Sequence, residues 1–233
     1  MELARRGASV GLVARRSELL DEIVEEIRKT KGRGLALVAD VNDEHSIRST
    51  ADKVRSELGP IDVLIANAGI GGASHAVNLR PDQVANVIGV NVLGAANSVA
   101  AVLPEMAQRG SGQLVAISSL SAYRGIPKSA AYGASKAAVS CFFESLRIDL
   151  RGSGVDVTII HPGFIKTPLT AGREAQMPFL MELDDAVKKI ITAIEKRKKS
   201  YAFPWQLAGI VRLGMIMPTW MYDPIAARNS FRE

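Results

Sequence analysis

The stretch QLVAISSLSAYRGIPKSAAYGASKAAVSCFFESLRIDLRGSGVDVTIIH, residues 113–161, contains two apolar runs on either side of a long helical pattern. Residues 113–118 and 155–161 have the composition of buried strands, and residues 130–151 predict a helix that Gly152 ends. A buried strand, a covering helix and a second buried strand are typical of a parallel sheet. The stretch therefore predicts an α/β fold.

The same alternation extends to both sides of this stretch. Ser17, Asp43 and Asp184 are expected to cap helices, and Pro104 marks a bend in a helical region over residues 81–108. Further strands are predicted over residues 9–14, 35–39, 63–66 and 201–203. The pattern predicts one doubly wound parallel sheet covered by helices on both faces, a three-layer α/β/α domain over residues 1–203. An apolar extension follows over residues 204–233, divided by Pro218.

The charge and the metal-binding residue types narrow the classes of partner. The 233 residues carry a net charge of +5, and a lysine-rich run over residues 188–199 is interpreted as a solvated helix face. No nucleic-acid motif accompanies it. Cys141 is the single cysteine and is expected to pack on its helix, and three widely spaced histidines give no metal-ligand set. The N-terminus has no signal-peptide pattern, which favours a cytoplasmic location.

A possible proton-transfer site lies inside the opening stretch. Tyr132 and Lys136 are four residues apart, so they share one face of the predicted helix. An ammonium beside a phenol favours the phenolate and lowers the phenol pKa, and such a phenol can exchange a proton with a carbonyl oxygen. Ser119, after the preceding strand, can polarise the same oxygen. Taken alone, a Tyr–Lys pair at this spacing is usually a surface feature, and a serine after a strand is usually a turn residue.

Residues 117–138 resemble the active-site stretch of the short-chain dehydrogenases/reductases. That family has a serine thirteen residues before the tyrosine of its Tyr-x-x-x-Lys motif, as Ser119 precedes Tyr132 here. Other matching motifs occur in the family's order: Asp40-Val41, ANAG (66–69, with Asn67, Ala68 and Gly69), Asn91 within VNVLG, and HPGFIKT (161–167, with Pro162, Gly163, Ile165 and Thr167).

The resemblance implies a Rossmann-like fold and an oxidoreductase that interconverts a carbonyl and a secondary alcohol. It implies that Tyr132 exchanges the proton, Ser119 binds the substrate oxygen, Lys136 holds the nicotinamide ribose and Asn91 keeps a water in line. The remaining matched residues would contact the cofactor. The resemblance also implies a homodimer or homotetramer that pairs through the helix over residues 130–151.

The residues after the strand 9–14 bear on which nicotinamide cofactor is used. NAD enzymes have an acidic residue there for the adenosine ribose. Here Arg15 and Arg16 follow Ala14, and guanidinium groups suit a 2′-phosphate. NADP(H) is therefore favoured over NAD(H), the alternative being that both arginines are solvated loop charges.

The family normally opens with a strand and a glycine-rich turn, whereas residues 1–8 resemble the end of the helix that follows that turn. We expect the sheet to lack its first strand and Met1 to be an internal methionine of a longer chain. The alternative is a truncated remnant that serves as a non-catalytic binding or interaction module.

Two apolar segments bear on the substrate. Residues 167–183 include Leu169, Met177, Phe179, Leu180 and Met181, and they predict either a lid over an apolar substrate or packing on the domain. The extension over residues 204–233 is expected to cover the cleft or a subunit interface, with contact to a membrane surface as the alternative.

Overall fold

The computed structural model describes residues 1–168, 170–172 and 177–228. Strands and helices alternate along the chain, as the sequence predicts. The strands are β1 (Val10–Ala14), β2 (Gly34–Val38), β3 (Val63–Ala66), β4 (Gly112–Ile117), β5 (Val155–Pro162) and β6 (Ser200–Phe203). The helices are α1 (Glu2–Arg5), α2 (Ser17–Lys29), α3 (Glu44–Leu58), α4 (Pro81–Ile88), α5 (Gly94–Arg109), α6 (Ala130–Asp149), α7 (Leu183–Glu195), α8 (Trp205–Ile216) and α9 (Thr219–Arg228).

All the strand pairs in the described ranges are parallel, but they form two ladders. β1 pairs with β2, and β3, β4, β5 and β6 pair in that order. Within the described residues no strand connects β1 to β3. Because the strands of each ladder run in parallel, the residues that follow them leave each ladder at its carboxyl edge.

Helices cover both faces of the four-stranded ladder, which gives the three layers predicted. Side chains alternate along β4, so Leu114 and Ala116 pack in a first core with α3, α5 and α6, whereas Val115 packs in a second core with α7 on the other face. Phe143 of α6 is fully buried in the first core. The α/β Rossmann-like prediction is confirmed.

The helix starts agree only in part with the predicted caps. Asp43 does cap α3, accepting a hydrogen bond from the Ser46 amide at 3.1 Å. The prediction was wrong for Ser17, which is the first residue of α2 and makes no capping bond, and for Asp184, because α7 begins at Leu183 after Glu182. Cys141 is exposed rather than packed.

The helical region over residues 81–109 is interrupted by a change of helix type, which lies before Pro104 and not at it. A π-helical segment, Gly89–Leu93, separates α4 from α5, and Pro104 lies within α5. Such segments are frequent at functional sites because they reorient side chains within a helix. This is the one described stretch long and apolar enough to cross a membrane. Its buried residues, including Val99 and Met106, pack in the first core, as in the core helix of a globular domain.

Candidate active site

The sequence-predicted site residues follow the carboxyl ends of the strands. The β-ladder aligns Ala66 with Ala116, Ile117 with Ile160 and Pro162 with Phe203, so the segments after β3, β4 and β5 leave at one edge. The segments after β1 and β2, with Arg15, Arg16, Asp40 and Val41, leave at the equivalent edge of the other ladder.

Lys136 is a buried lysine at this edge. Its side chain extends from α6, and its Nζ donates to the carbonyl of Ile117, the last residue of β4, at 2.8 Å. Burial lowers the pKa of Lys136 from 10.5 to about 8. Among the described residues the Ile117 oxygen is the hydrogen-bond acceptor of the ammonium, which has three N–H groups. Lys136 therefore has donors left for a ligand.

Tyr132 lies on α6 with Lys136, whereas Ser119 lies just after the end of β4. The Lys136 Nζ lies 5.9 Å from the centroid of the Tyr132 ring, one helical turn away. Ser119 ends the connection from β4, and its Oγ accepts the Ser121 amide at 3.1 Å as it caps the turn Leu120–Ala122. Because the hydroxyl oxygen is used as an acceptor, its proton remains available for donation.

Asn91 joins the π segment to the loop after β3. Its Oδ1 accepts the Ile70 amide at 2.8 Å, and its Nδ2 donates to the Ile70 carbonyl at 3.1 Å and to the Ser135 Oγ at 2.9 Å. A Cβ at Gly69 would lie 3.4 Å from both the Asn91 Oδ1 and the Lys136 Nζ. The structure thus brings the ANAG loop, Asn91 and Lys136 together.

The residues after β1 and β2 contact each other and α5. Arg15 forms an ion pair with Asp40 at 3.6 Å, and both side chains are more than a third exposed. The Val41 carbonyl accepts from Asn97 at 2.8 Å, and a Cβ at Gly94 would lie 2.5 Å from the Val41 Cγ2, so this close approach requires glycine. The start of α5 therefore holds the β2 loop beside the π segment. Arg16 is exposed at the start of α2.

The segment after β5 is held from two directions. Ile165 forms a β-bridge with Met181, which joins the segment after β5 to the residues just before α7. The Thr167 amide donates to the Thr170 Oγ1 at 2.9 Å. Pro162 is buried, Gly163 is half-buried, and Leu169 lies outside the described residues. Met177 is buried and Met181 packs in the second core, so these two members of the predicted lid pack on the domain, whereas Phe179 is exposed.

The C-terminal helices pack on the segment that follows Ser119. Leu207 of α8 packs with Leu120 and Tyr123. The Arg124 guanidinium donates to the carbonyls of Gly214 and, at 2.6 Å, Met217. Its carbon lies 3.8 Å from the centroid of the Tyr222 ring, whose hydroxyl donates to the Gly125 carbonyl at 2.6 Å. One side of the extension therefore borders the candidate site. Its other side exposes Trp205, Ile216 and Trp220.

Sequence reasoning missed a group of polar side chains behind Lys136. The Ser118 Oγ and the Ser140 Oγ lie 3.0 and 2.9 Å from the Lys136 carbonyl and 2.7 Å from each other. The Ser140 Oγ lies 3.2 Å from the Nε2 of His161. The sequence signal was the spacing of Ser140, four residues after Lys136 on the same helix face.

His161 is expected to make folding sensitive to acid. Burial, and then the positive charge of Arg212, lower its pKa from 6.5 to about 4. The unfolded chain takes up this proton below about pH 6.5 and the folded chain only near pH 4, so stability from this group is present above pH 6.5 and lost between those values. We expect His161→Gln to remove about 3 kcal/mol of this pH dependence. Urea unfolding from pH 4.5 to 7 measures it.

The control for this prediction is His45→Gln, which changes an exposed histidine on α3. It should retain the wild-type slope of unfolding free energy against pH. If the unfolding free energy of His161→Gln depended on pH as steeply as that of the wild type, another group would cause the acid sensitivity.

Comparisons with known proteins agree with this architecture. Residues 1–178 match the family model for short chain dehydrogenase. An uncharacterized oxidoreductase of Myxococcus xanthus is 42% identical over 229 residues, which cover 97% of this chain and 89% of the relative. Among solved structures, a short-chain dehydrogenase from Streptomyces avermitilis superposes with a TM-score of 0.79 at 27% identity, covering 97% of this chain and 89% of that one.

A second solved structure contains a cofactor. It is a gluconate 5-dehydrogenase from Burkholderia cenocepacia in complex with NADP and tartrate, with a TM-score of 0.69 and 28% identity. The match covers 72% of this chain and 66% of that chain. Taken with the family-model match and the close relative, these likenesses show that the chain belongs to the short-chain dehydrogenases, oxidoreductases with an NAD(P)-binding Rossmann-like fold.

Proposed function

We propose that this protein is an NADP(H)-dependent oxidoreductase that interconverts a carbonyl group and a secondary alcohol. The observation that carries the proposal is the buried Lys136 ammonium, which lies one helical turn from Tyr132 and beside Gly69 and Asn91. A buried cation next to a phenol is an arrangement suited to proton transfer.

In the reductive direction, Tyr132 donates its hydroxyl proton to the substrate oxygen. Ser119, whose oxygen already accepts the Ser121 amide, donates its own proton in a hydrogen bond to the same oxygen. The Lys136 ammonium stabilises the phenolate that remains on Tyr132. The Asn91 side-chain amide is engaged with Ile70 and Ser135, so it fixes the loop beside Gly69.

The described residues fit a nicotinamide cofactor, which supplies the hydride when it is bound. The unused donors of Lys136 suit ribose hydroxyls, and Gly69 leaves the space beside them open. Asp40 and Val41 would border the adenine, and Asn67 and Ala68 the adenosine side of the cleft. Pro162, Gly163, Ile165 and Thr167 would hold the carboxamide.

NADP(H) is proposed over NAD(H) because Arg15 and Arg16 follow β1 and the ion pair with Asp40 keeps Arg15 at the carboxyl edge. We expect Arg15→Ala to raise the KM for NADPH about tenfold to a hundredfold, because one charge-assisted hydrogen bond to the 2′-phosphate is lost. The KM for NADH should stay within about twofold of the wild-type value, because NADH has no 2′-phosphate. Steady-state kinetics with both cofactors measure this.

Arg28→Ala, which removes an exposed arginine from the last turn of α2, is the matched control. Equal losses with NADPH and NADH in Arg15→Ala would contradict contact with the 2′-phosphate.

An apolar substrate is proposed because α8 borders the segment after Ser119 with Leu207 and its neighbours. In this proposal the C-terminal helices cover one side of the cleft. The small residues of α6, including the exposed Ala134, would allow pairing with a second copy in a homodimer or homotetramer, which light scattering would measure.

The test of the proposed function is NADPH oxidation, followed at the absorbance of the reduced nicotinamide, with a panel of apolar ketones and aldehydes. Turnover of at least one carbonyl compound is expected. The competing assignment is a non-catalytic binding module with a dinucleotide-binding fold. It is supported by the separation of the β1–β2 ladder from the four-stranded ladder. A folded protein that binds no NADPH and reduces no member of the panel would favour that module and overturn the enzyme assignment.

A further inference from the structure

A chain of hydrogen bonds runs behind the candidate site, from α6 to β5. The Lys136 carbonyl lies within hydrogen-bond distance of the Ser118 and Ser140 hydroxyls, and Ser140 continues the chain to the His161 Nε2 at 3.2 Å. Ser118, Lys136 and His161 are all at least nine-tenths buried. These bonds act on the main chain of Lys136, whereas its ammonium is held separately by Ile117.

The surroundings of Nδ1 indicate the tautomer of His161. With a proton on Nε2, His161 donates to the Ser140 Oγ, and the two serine hydroxyl protons are left to be shared between the Lys136 carbonyl and the 2.7 Å contact of the Ser118 and Ser140 oxygens. The buried Nδ1, which has no hydrogen-bond partner among the described residues, is then an unprotonated acceptor. The other tautomer would bury an unpaired N–H donor, which is the costlier arrangement.

His161 also contacts the other parts of the site. Its ring stacks on Tyr123, with centroids 4.9 Å apart and planes at 29°, and Tyr123 follows the turn that begins after Ser119. Next along the chain come Pro162 and Gly163. The charged group acting on His161 from the C-terminal helices is Arg212 of α8, whose positive charge also disfavours protonation of the imidazole.

We propose that His161, through Ser140, is a positioning residue that sets the place of Lys136 relative to Ser119 and Tyr132. It contacts neither substrate nor cofactor and acts by fixing the part of α6 between Lys136 and Ser140 against β4 and β5. This inference rests on the proposed function of Lys136.

The test compares three variants. His161→Phe retains a ring to stack on Tyr123 but removes the donor to Ser140, and Ser140→Ala breaks the same link from the other side. His161→Gln retains an N–H donor on a side chain of similar reach. We expect the first two to lower kcat about tenfold to a hundredfold, because small displacements of positioned groups are costly. His161→Gln should keep kcat within about threefold of wild type, since its side-chain amide can donate to Ser140.

Two pH profiles distinguish positioning from a purely structural effect. In His161→Phe and Ser140→Ala, the pH at half-maximal kcat/KM for alcohol oxidation should rise, because a displaced ammonium stabilises the phenolate less. Competitive labelling of amines, read by mass spectrometry, gives the titration of Lys136 without a substrate. Its midpoint should move from about 8 in the wild type towards 10.5 in the same two variants as Lys136 becomes more solvated.

Unchanged profiles in both variants, with reduced thermal stability alone, would overturn the proposal, as would equal behaviour of His161→Gln and His161→Phe. If the wild type binds no NADPH and reduces no carbonyl compound, the proposed function fails, whereas the labelling midpoint still decides whether His161 positions Lys136.

Discussion

Replacing Tyr132 by phenylalanine is expected to lower kcat by about a hundredfold to ten-thousandfold, the usual contribution of a positioned general acid or base. The substitution removes one oxygen atom and leaves the ring beside Lys136 on α6. In the proposed mechanism the substrate oxygen then has the Ser119 hydroxyl as a hydrogen-bond donor but no group to supply its proton. The measurement is single-turnover oxidation of NADPH with a carbonyl compound that the wild type reduces.

The control is Tyr201→Phe, which removes a hydroxyl from a half-buried tyrosine of β6 that packs in the second core. It should retain wild-type kcat. NADPH binding, followed by fluorescence, should be unchanged in Tyr132→Phe to within about threefold, because the loss concerns a proton transferred in the reaction. A Tyr132→Phe protein with wild-type turnover would exclude Tyr132 as the proton donor.

Replacing Lys136 by methionine is the second change with a large expected effect. It retains an unbranched side chain but removes the ammonium that we propose stabilises the phenolate and binds the ribose. We expect kcat/KM for NADPH to fall about a hundredfold to ten-thousandfold, with losses in both kcat and cofactor affinity. Steady-state kinetics with varied NADPH, together with fluorescence titration, separate the two.

Stability should respond in the opposite direction to activity. Burial lowers the pKa of Lys136, so at pH 7 the folded protein carries a charged group that the surrounding structure disfavours. Lys136→Met should therefore unfold at the wild-type temperature or above it. The exposed Lys53→Met of α3 is the matched control and should change neither property. A large loss of stability in Lys136→Met, with normal activity per folded molecule, would show that Lys136 is a structural residue.

Much of this site could be predicted because its residues are close in sequence or follow strands. The Tyr132 and Lys136 pair depends only on helical spacing, and Asn67 to Gly69 and Pro162 to Thr167 depend only on where buried strands end. Local pattern is sufficient in such cases, because parallel strands bring their carboxyl ends to one edge. The cap predictions were correct for Asp43, which forms its bond, and wrong for Ser17, which does not.

The sequence by itself determined the α/β class, the order of the elements, the family and the identity of the candidate proton-transfer residues. Only the tertiary structure decided that the Asn91 side chain forms hydrogen bonds with the main chain of Ile70. It alone decided that Ser118, Ser140 and His161 form a hydrogen-bonded chain with the Lys136 carbonyl. It also decided that Arg124 ties the C-terminal helices to the segment after Ser119. The physical reason is that hydrogen bonds between residues distant in sequence depend on how helices and strands pack, and periodicity along one element carries no information about its neighbours.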